Sequence, residues 1–466
     1  MVKSNILRTV AALAVMLWCG IALAATHQQR VHHDLQDGLP QNIKLRSESV
    51  VEPFLITIIT LHSGPNSTLP AALPQNISAY LVGDAPNPVN PAQRLGFVAQ
   101  HSDDGSTKYF TPPSNAGKGA VVAAPATLSY KNGAVRTSFK TPGTVNSGRI
   151  YIVVDGYLNF YASPDGKIVQ PDPHNPSDIA HQELWGFIEL THARDPSTGD
   201  ENMVVNLSFV DWVSLPLGIS ITSKSQNGSL ESVAIGGLEP TGLAKVCKTL
   251  SALDGFWPRL CIRGPDKTPL RVMSPGKYLS IHSDDKDAAN YYEPYINTAW
   301  EKYKDVDLRI NTQASGPNSG NKVDNGQIVT CRVGHTDNIL HCDNDAGDFI
   351  RPVSKDIYGC DSGPFANPQN GATESWSRAR VRPRLCAAFV RSTLHLDGVQ
   401  PSHDITPDQY YREPITNHYS RVVHDNLMGG MGYAFSYDDV NPGRTENSAG
   451  LISTTHPIRL DIYLNI

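Results

Sequence analysis

Two acidic residues, Glu189 and Asp211, stand out because each lies in an apolar run with strand character. The runs are WGFIELT (185–191) and MVVNLSFVDWV (203–213). An ionised carboxylate on an apolar face is costly unless it is paired or hydrogen-bonded. Each acid is therefore either a buried structural group with its own partner or a functional group.

Residues two apart in a strand share a face, so Thr191 lies on the face of Glu189, and Asp211 ends the apolar face of the second run. The turn-rich segment 193–202 allows the two runs to form an antiparallel hairpin. The even spacing between the acids allows them a common face. Opposed carboxylates would then lie about 5 Å apart at Cβ, and diagonal ones about 7–8 Å.

Two carboxylates at such distances are the groups that hydrolyse glycosidic bonds. One protonates the leaving oxygen, and the other activates water or attacks the sugar. The general acid needs an apolar neighbourhood that raises its pKa, which Trp185, Phe187 and Ile188 could provide beside Glu189. The register of the strands, and with it the stereochemistry, stays open. We expect Trp212 to be a packing residue.

The elements that must position these acids are mainly strands. Between residues 49 and 228, short apolar runs separated by Gly, Pro, Asn and Ser clusters predict a β-barrel or sandwich domain. Residues 229–455 have helix-like spacing at three places and short strands between them, which predicts a mixed α/β domain. One of these helices, 377–396, is interrupted by Pro383. Residues 456–466 alternate again and are expected to complete the first sheet.

The first 24 residues are typical of a signal peptide, because Lys3 and Arg8 precede an apolar run that ends in a small-residue cleavage pattern at Ala24. An uncleaved membrane anchor is the alternative. A polar N-terminal segment (25–48) follows. No later run approaches the ~18 apolar residues of a membrane span, so we expect a secreted protein without a membrane contact after cleavage.

Six cysteines remain after the signal peptide, and an even number in a secreted chain predicts three disulfides. We expect sequential pairing, although 15 connectivities are possible. No CxxC or HExxH spacing occurs, so neither a metal site nor a cofactor is predicted. The six residues are Cys247, Cys261, Cys331, Cys342, Cys360 and Cys386.

The formal net charge of −6 and the lack of a polybasic stripe argue against nucleic acid as a partner. A neutral polysaccharide fits an acidic secreted protein, and we expect a monomer. Asn-x-Ser/Thr motifs predict a glycoprotein. They occur at Asn66, Asn76, Asn206 and Asn227.

The segments WGFIELT and VNLSFVDWVSLPLGISI resemble glycoside hydrolase family 64 β-1,3-glucanases, the fungal members above all. The aromatic-rich stretch 291–303 and the segment YAFSYDDV (433–440) add to the resemblance. It implies a thaumatin-like β domain and an α/β domain flanking a wide acidic groove. It also implies inverting endo-cleavage of β-1,3-glucan, with Glu189 as general acid and Asp211 as general base.

Further substrate contacts are expected, one from the face that Glu189 occupies and two from the segment that the resemblance places along the groove. Thr191, Asp438 and Asp439 are candidate substrate contacts, and the two aspartates could equally cap a turn. His192-Ala193 stands where the family often has a polar pair such as Trp-Asn, which leaves product length open.

A function of another class is a thaumatin-like glucan-binding or antifungal protein without turnover. Such a protein would have no need to keep both acids on one groove, so the pair favours an enzyme.

Overall fold

The computed structural model describes residues 54–61, 76–87, 94–101, 107–112, 121–123, 128–129, 136–163, 167–313, 326–368, 372–402, 404–441 and 448–465. The predicted signal peptide (1–24), the N-terminal segment (25–48) and the motif at Asn66 lie outside these ranges. Within them, no helix combines the length and the apolar character needed to cross a membrane.

The fold is mostly β, with 37% of residues in strands and 23% in helices. The strands are β1 Leu55–Leu61, β2 Asn76–Pro86, β3 Arg94–His101, β4 Thr107–Phe110, β5 Val121–Ala123, β6 Leu128–Ser129, β7 Arg136–Lys140, β8 Val145–Val154, β9 Phe160–Ala162, β10 Ile168–Val169, β11 Leu184–Arg194, β12 Glu201–Leu207, β13 Trp212–Val213, β14 Leu217–Lys224, β15 Leu230–Ile235, β16 Gly237–Leu238, β17 Cys261–Arg263, β18 Pro269–Met273, β19 Leu308–Asn311, β20 Ile328–Val333, β21 Leu340–Cys342, β22 Gly347–Phe349, β23 Val399–Gln400, β24 Leu427–Met428, β25 Ile452–Thr455 and β26 Pro457–Asn465.

The helices all lie in the second half of the chain, apart from one short 3-10 turn. They are α1 Gly242–Ser251, α2 Pro275–Ile281, α3 Lys286–Ala289, α4 Glu293–Asp305, α5 Ser354–Gly359, α6 Trp376–Val390 and α7 His418–Asp425, with 3-10 turns at Ile179–His181, Trp257–Leu260, Gly363–Phe365 and Pro407–Gln409.

Two large sheets share a core in the β-rich part. One has eight strands, in the order β25-β12-β11-β8-β2-β3-β4 with β6 on β2, and the other has the order β15-β14-β26-β1-β7. Their facing side chains, such as Ile188 and Leu207 from the first and Ile219 and Leu460 from the second, are buried in one cluster. Alternation along each strand therefore produces the sandwich that the sequence predicts.

The last strand returns to the first part of the chain. β26 pairs in parallel with β1 and antiparallel with β14, so it lies inside the five-stranded sheet. The return begins earlier than predicted, because β25 already pairs with β12. β15 also belongs to this sheet, which extends the β-rich part to Ile235 rather than 228. The division into two domains stays a prediction.

The second half combines a five-stranded sheet, β22-β21-β20-β19-β23, with helices that pack on it. Contrary to prediction, α6 runs through Pro383 without interruption. Its residues Val381, Leu385 and Phe389 are fully buried or nearly so. Packing of this face outweighs the lost backbone hydrogen bond, since tertiary burial contributes most of a helix's stability.

Three disulfides connect neighbouring cysteines, as predicted. They join Cys247 to Cys261, Cys331 to Cys342 and Cys360 to Cys386. All three lie in the helix-containing half, where they tie α1 to β17, β20 to β21 and the end of α5 to α6.

The central position of β26 predicts a contrast between two of its residues. Leu460 is fully buried between the sheets, whereas Ile458 is 44% exposed. We expect Leu460→Ala to lower the free energy of unfolding by about 3 kcal/mol, because it opens a cavity in the shared core. Ile458→Ala should change it by less than about 1 kcal/mol. Urea unfolding measures both, and equal losses would contradict the placement of β26.

Candidate active site

Glu189 lies at the middle of β11, between two polar neighbours on adjacent strands. It is directly opposite Asn206 of β12 and directly opposite Arg149 of β8. Residues opposite each other across a sheet share a face. The three polar side chains therefore form one row across the eight-stranded sheet, on the face that points away from the main core.

This register corrects the predicted geometry of the hairpin. Glu189 faces Asn206, so the odd positions of β11 share a face with the even positions of β12. A regular strand would then have carried Asp211 to the opposite face. β12 instead ends at Leu207, and an irregular segment precedes Asp211. The parity argument was therefore wrong: in this register an even spacing separates the two acids, and only the end of the strand before Asp211 removes that separation.

Asn206 is also not the solvated position that its motif suggested. The residue is 1% exposed, and its Nδ2 donates to Glu189 Oε2 at 3.4 Å. A glycan could not be attached there in this fold. Asn227 lies in an exposed turn, where its side chain accepts from Ser229.

The segment between Leu207 and Trp212 is held by neighbours from distant parts of the chain. Phe209 N donates to Tyr433 O at 2.7 Å, and Ser274 N donates to Asp211 O at 2.9 Å. Trp212 then pairs with Met273 of β18. These bonds fix the backbone on both sides of Asp211.

Trp212 shows which face the segment returns to. Its ring lies 4.7 Å from that of Trp185 and 5.2 Å from that of Phe187, both on the Glu189 face of β11. Trp212 is 6% exposed, which confirms its packing role. Asp211, one residue earlier, is thereby brought to the same side of the sheet as Glu189.

Glu189 is a largely buried carboxylate with a cationic partner. Its side chain is 11% exposed, and Oε1 accepts from Arg149 Nε at 3.2 Å and Nη2 at 3.0 Å. The guanidinium also lies 4.7 Å above the Phe187 ring. The predicted apolar neighbourhood is therefore partly correct. Phe187 lies close, but Ile188 points into the main core on the other face.

Asp211 has its own cation. Its Oδ1 lies 3.5 Å from Lys277 Nζ, and its side chain is 7% exposed. Both acids also act on Arg149. Burial alone lowers the Arg149 pKa, but Tyr151, Glu189 and Asp211 together raise it above its ordinary value. One guanidinium thus lies within electrostatic reach of both carboxylates.

Thr191 lies on the same face, two residues beyond Glu189, and is opposite Val204. It is 6% exposed. Within the described ranges its hydroxyl has no hydrogen-bond partner. The hydroxyl is a polar group in need of a partner near the acids.

Asp438 is not placed to contact substrate. It is fully buried, where Oδ1 accepts from Arg391 and Oδ2 accepts from His424 and from Ala434 N. Burial by itself raises the Asp438 pKa, but His424 and Arg391 more than offset it and hold the pKa below its usual range. The expectation of a sugar contact was wrong, because these partners occupy both oxygens. Asp439 is exposed.

His424 is a structural histidine that hydrogen-bonds Gly430 and Asp438. Both acceptors of its ring, Gly430 O and Asp438 Oδ2, lack a proton to donate. The ring therefore carries two protons. Burial lowers the His424 pKa, but Asp438 and Gly430 raise it above its ordinary value overall.

The aromatic residues of α4 are also structural. Tyr295, Trp300 and Tyr303 are each no more than 4% exposed and belong to the core. They do not line a groove.

Three site residues escaped the sequence argument: Arg149, Asn206 and Lys277. Arg149 begins an apolar run, where a charge usually marks a strand end, and Asn206 sits in a glycosylation motif. Lys277 lies 66 residues beyond Asp211, and only the tertiary fold pairs them. In the part of the chain that the structure describes, no three His, Cys, Asp or Glu side chains are grouped to hold a metal ion.

The sequence matches the glycoside hydrolase family 64 profile, described as β-1,3-glucanase, over residues 66–464. It is 27% identical over 297 residues to a glucan endo-1,3-β-glucosidase of Cellulosimicrobium cellulans. It is 26% identical over 296 residues to one of Arthrobacter sp. (strain YCWD3). Each match covers 63% of this chain and 48% of the relative, so the chain spans about half the length of these curated relatives.

Two solved structures share the fold. A laminaripentaose-producing β-1,3-glucanase in complex with laminaritetraose superposes with a TM-score of 0.68 at 23% identity, covering 89% of this chain and 98% of that one. A β-1,3-glucanase domain from Clostridium beijerinckii gives 0.59 at 16% identity, covering 88% and 98%.

The Arg149–Glu189 pair predicts an asymmetric effect on stability. Arg149→Met leaves the Glu189 carboxylate buried without its counter-charge, and we expect the free energy of unfolding to fall by about 3 kcal/mol. Arg309→Met, on an exposed strand position, should change it by less than about 0.5 kcal/mol. Chemical denaturation measures both variants. An Arg149→Met protein as stable as the control would show that the pair is not needed to compensate the buried charge.

Proposed function

The chain belongs to the glycoside hydrolase family 64 β-1,3-glucanases, and from this premise we propose that it is an endo-β-1,3-glucanase that cuts β-1,3-glucan into short oligosaccharides. The observation that carries the proposal is the pair of carboxylates, Glu189 and Asp211, on one side of the eight-stranded sheet. Each has its own cation, and each keeps a small exposed fraction, whereas Asp438 is fully buried.

In the proposed reaction Glu189 is the general acid and Asp211 the general base. Glu189 gives its proton to the glycosidic oxygen as the bond to the anomeric carbon breaks. Asp211 removes a proton from a water molecule that attacks the same carbon from the opposite side. The new hydroxyl takes the opposite configuration, which makes the enzyme inverting.

A general acid must be protonated when the leaving oxygen departs. The Glu189 side chain is already only 11% exposed in the ligand-free site. A sugar ring placed over the remaining exposed part would exclude water from it. We propose that substrate binding completes the environment that the acid requires.

The remaining parts of the proposal rest on the family resemblance and on the charge. They are a thaumatin-like β domain beside a wide acidic groove, secretion of a monomer, and β-1,3-glucan as the partner. Thr191 and Asp439 are proposed to contact sugar hydroxyls, the first through its unpaired hydroxyl and the second from the surface.

The competing proposal is a glucan-binding protein without turnover, and the acids discriminate between the two. We expect Glu189→Gln and Asp211→Asn each to reduce reducing-sugar release from laminarin at least about 100-fold, because each removes one proton transfer. Binding to insoluble glucan should be retained. The matched control, Glu231→Gln, changes an exposed acid on β15 and should keep full activity. Near-normal turnover in either site variant would contradict the mechanism.

The anomeric configuration of the first product provides a second test of the mechanism. Cleavage of a β-linkage with inversion yields a new reducing end in the α configuration, which then mutarotates. Proton NMR during the first minutes of hydrolysis should show α-anomeric signals before β-anomeric ones. If β-anomers formed first, a retaining mechanism would replace the one proposed here.

A further inference from the structure

We propose that Lys277 is a positioning residue that fixes the Asp211 carboxylate for the activation of water. The inference rests on the proposed function, because it assigns Lys277 through the role of Asp211 as general base. Lys277 itself contacts Asp211 and is not proposed to touch the reacting atoms.

The contact joins two partly buried groups. Lys277 Nζ lies 3.5 Å from Asp211 Oδ1, and the side chains are 23% and 7% exposed. At this separation the opposite charges attract each other, more strongly away from bulk water. The attraction restricts the orientation of the Asp211 carboxylate, and a general base needs a fixed orientation in order to hold the attacking water.

The backbone holds the two residues in a fixed relation. Ser274 N donates to Asp211 O at 2.9 Å, and Trp212 pairs with Met273. Ser274 is also the N-cap of α2, and its Oγ accepts from Lys277 N at 3.4 Å. A short stretch of chain thus connects the peptide of Asp211 directly to the backbone of Lys277.

Lys277 lies in the first turn of α2, where a positively charged side chain is unfavourable. It is the third residue of α2, whose first turn contains no acidic residue. The N-terminal turn of a helix carries partial positive charge and prefers acidic side chains. The nearby Asp211 carboxylate accounts for a lysine at this place.

Other groups facing Asp211 do not replace Lys277. They come from β8, from the loop before β11 and from α7, and they are Arg149, Tyr151, His174 and Tyr419. Arg149 also acts on Asp211 through its charge, but both hydrogen bonds that it donates to a carboxylate go to Glu189. Burial lowers the His174 pKa to about 4, so this ring is neutral above that pH. Burial raises the pKa of both tyrosines, which keeps them neutral.

The test is the separate measurement of kcat and KM for laminarin hydrolysis in charge-changing variants. Loss of the cation releases the Asp211 carboxylate, which misplaces the attacking water in the transition state and leaves glucan binding unchanged. We expect Lys277→Met and Lys277→Gln each to lower kcat about 10-fold with an unchanged KM. Lys277→Arg keeps the charge and should keep most of the wild-type kcat. Lys245→Met, which changes an exposed lysine paired with Glu239, is the control and should leave both constants unchanged.

Two results separate failure of this inference from failure of the proposed mechanism. If Lys277→Met and Lys277→Gln keep the wild-type kcat while Asp211→Asn is inactive, the positioning role is overturned and the mechanism stands. If Asp211→Asn is fully active, the proposed mechanism fails and the role of Lys277 fails with it. Lys277→Gln serves as the neutral variant if Lys277→Met does not fold.

Discussion

The site depends on how a buried carboxylate obtains its counter-charge. Glu189 lies on the second face of the large sheet, where few water molecules reach it, and an isolated charge there would be expelled or neutralised. Arg149 lies directly opposite Glu189 on the neighbouring strand and supplies the positive charge that compensates the carboxylate. The pairing of β11 with β8 is therefore both a sheet contact and the condition under which an acid can occupy this position.

The side chains that pack on this second face of the sheet support the pairing of Glu189 with Arg149. An aromatic cluster including Tyr151, Trp185 and Phe187 lies under Trp212, separate from the main core. The fully buried Arg271 donates to four backbone carbonyls of the loop before β11, those of Pro173, Ala180, His181 and Glu183. Trp185 Nε1 also donates to Ala180 O. The loop is thus tied to the aromatic layer, which in turn fixes the segment that carries Asp211.

The sequence predicted the elements better than their mutual placement. Alternation identified the strands around Glu189 and at the C-terminus, because period-two burial is a local property. The pairing of Glu189 with Asn206 and the end of β12 at Leu207 could not be predicted, since register depends on the turn and on partners such as Tyr433. For the same reason Asp438 resembled a groove residue, although Arg391 and His424 enclose it.

The most direct test of the central claim, that Glu189 and Asp211 act on the two sides of one glycosidic bond, is a crystal structure of Glu189→Gln with a β-1,3-linked oligosaccharide. The account predicts that the side chain at position 189 lies about 2.6–3.2 Å from a glycosidic oxygen. It also predicts a water held by Asp211 across the ring, with the two side-chain carbons about 6.5–9.5 Å apart. An oligosaccharide bound with neither side chain at the linkage, or a separation of about 5–5.5 Å, would contradict the account.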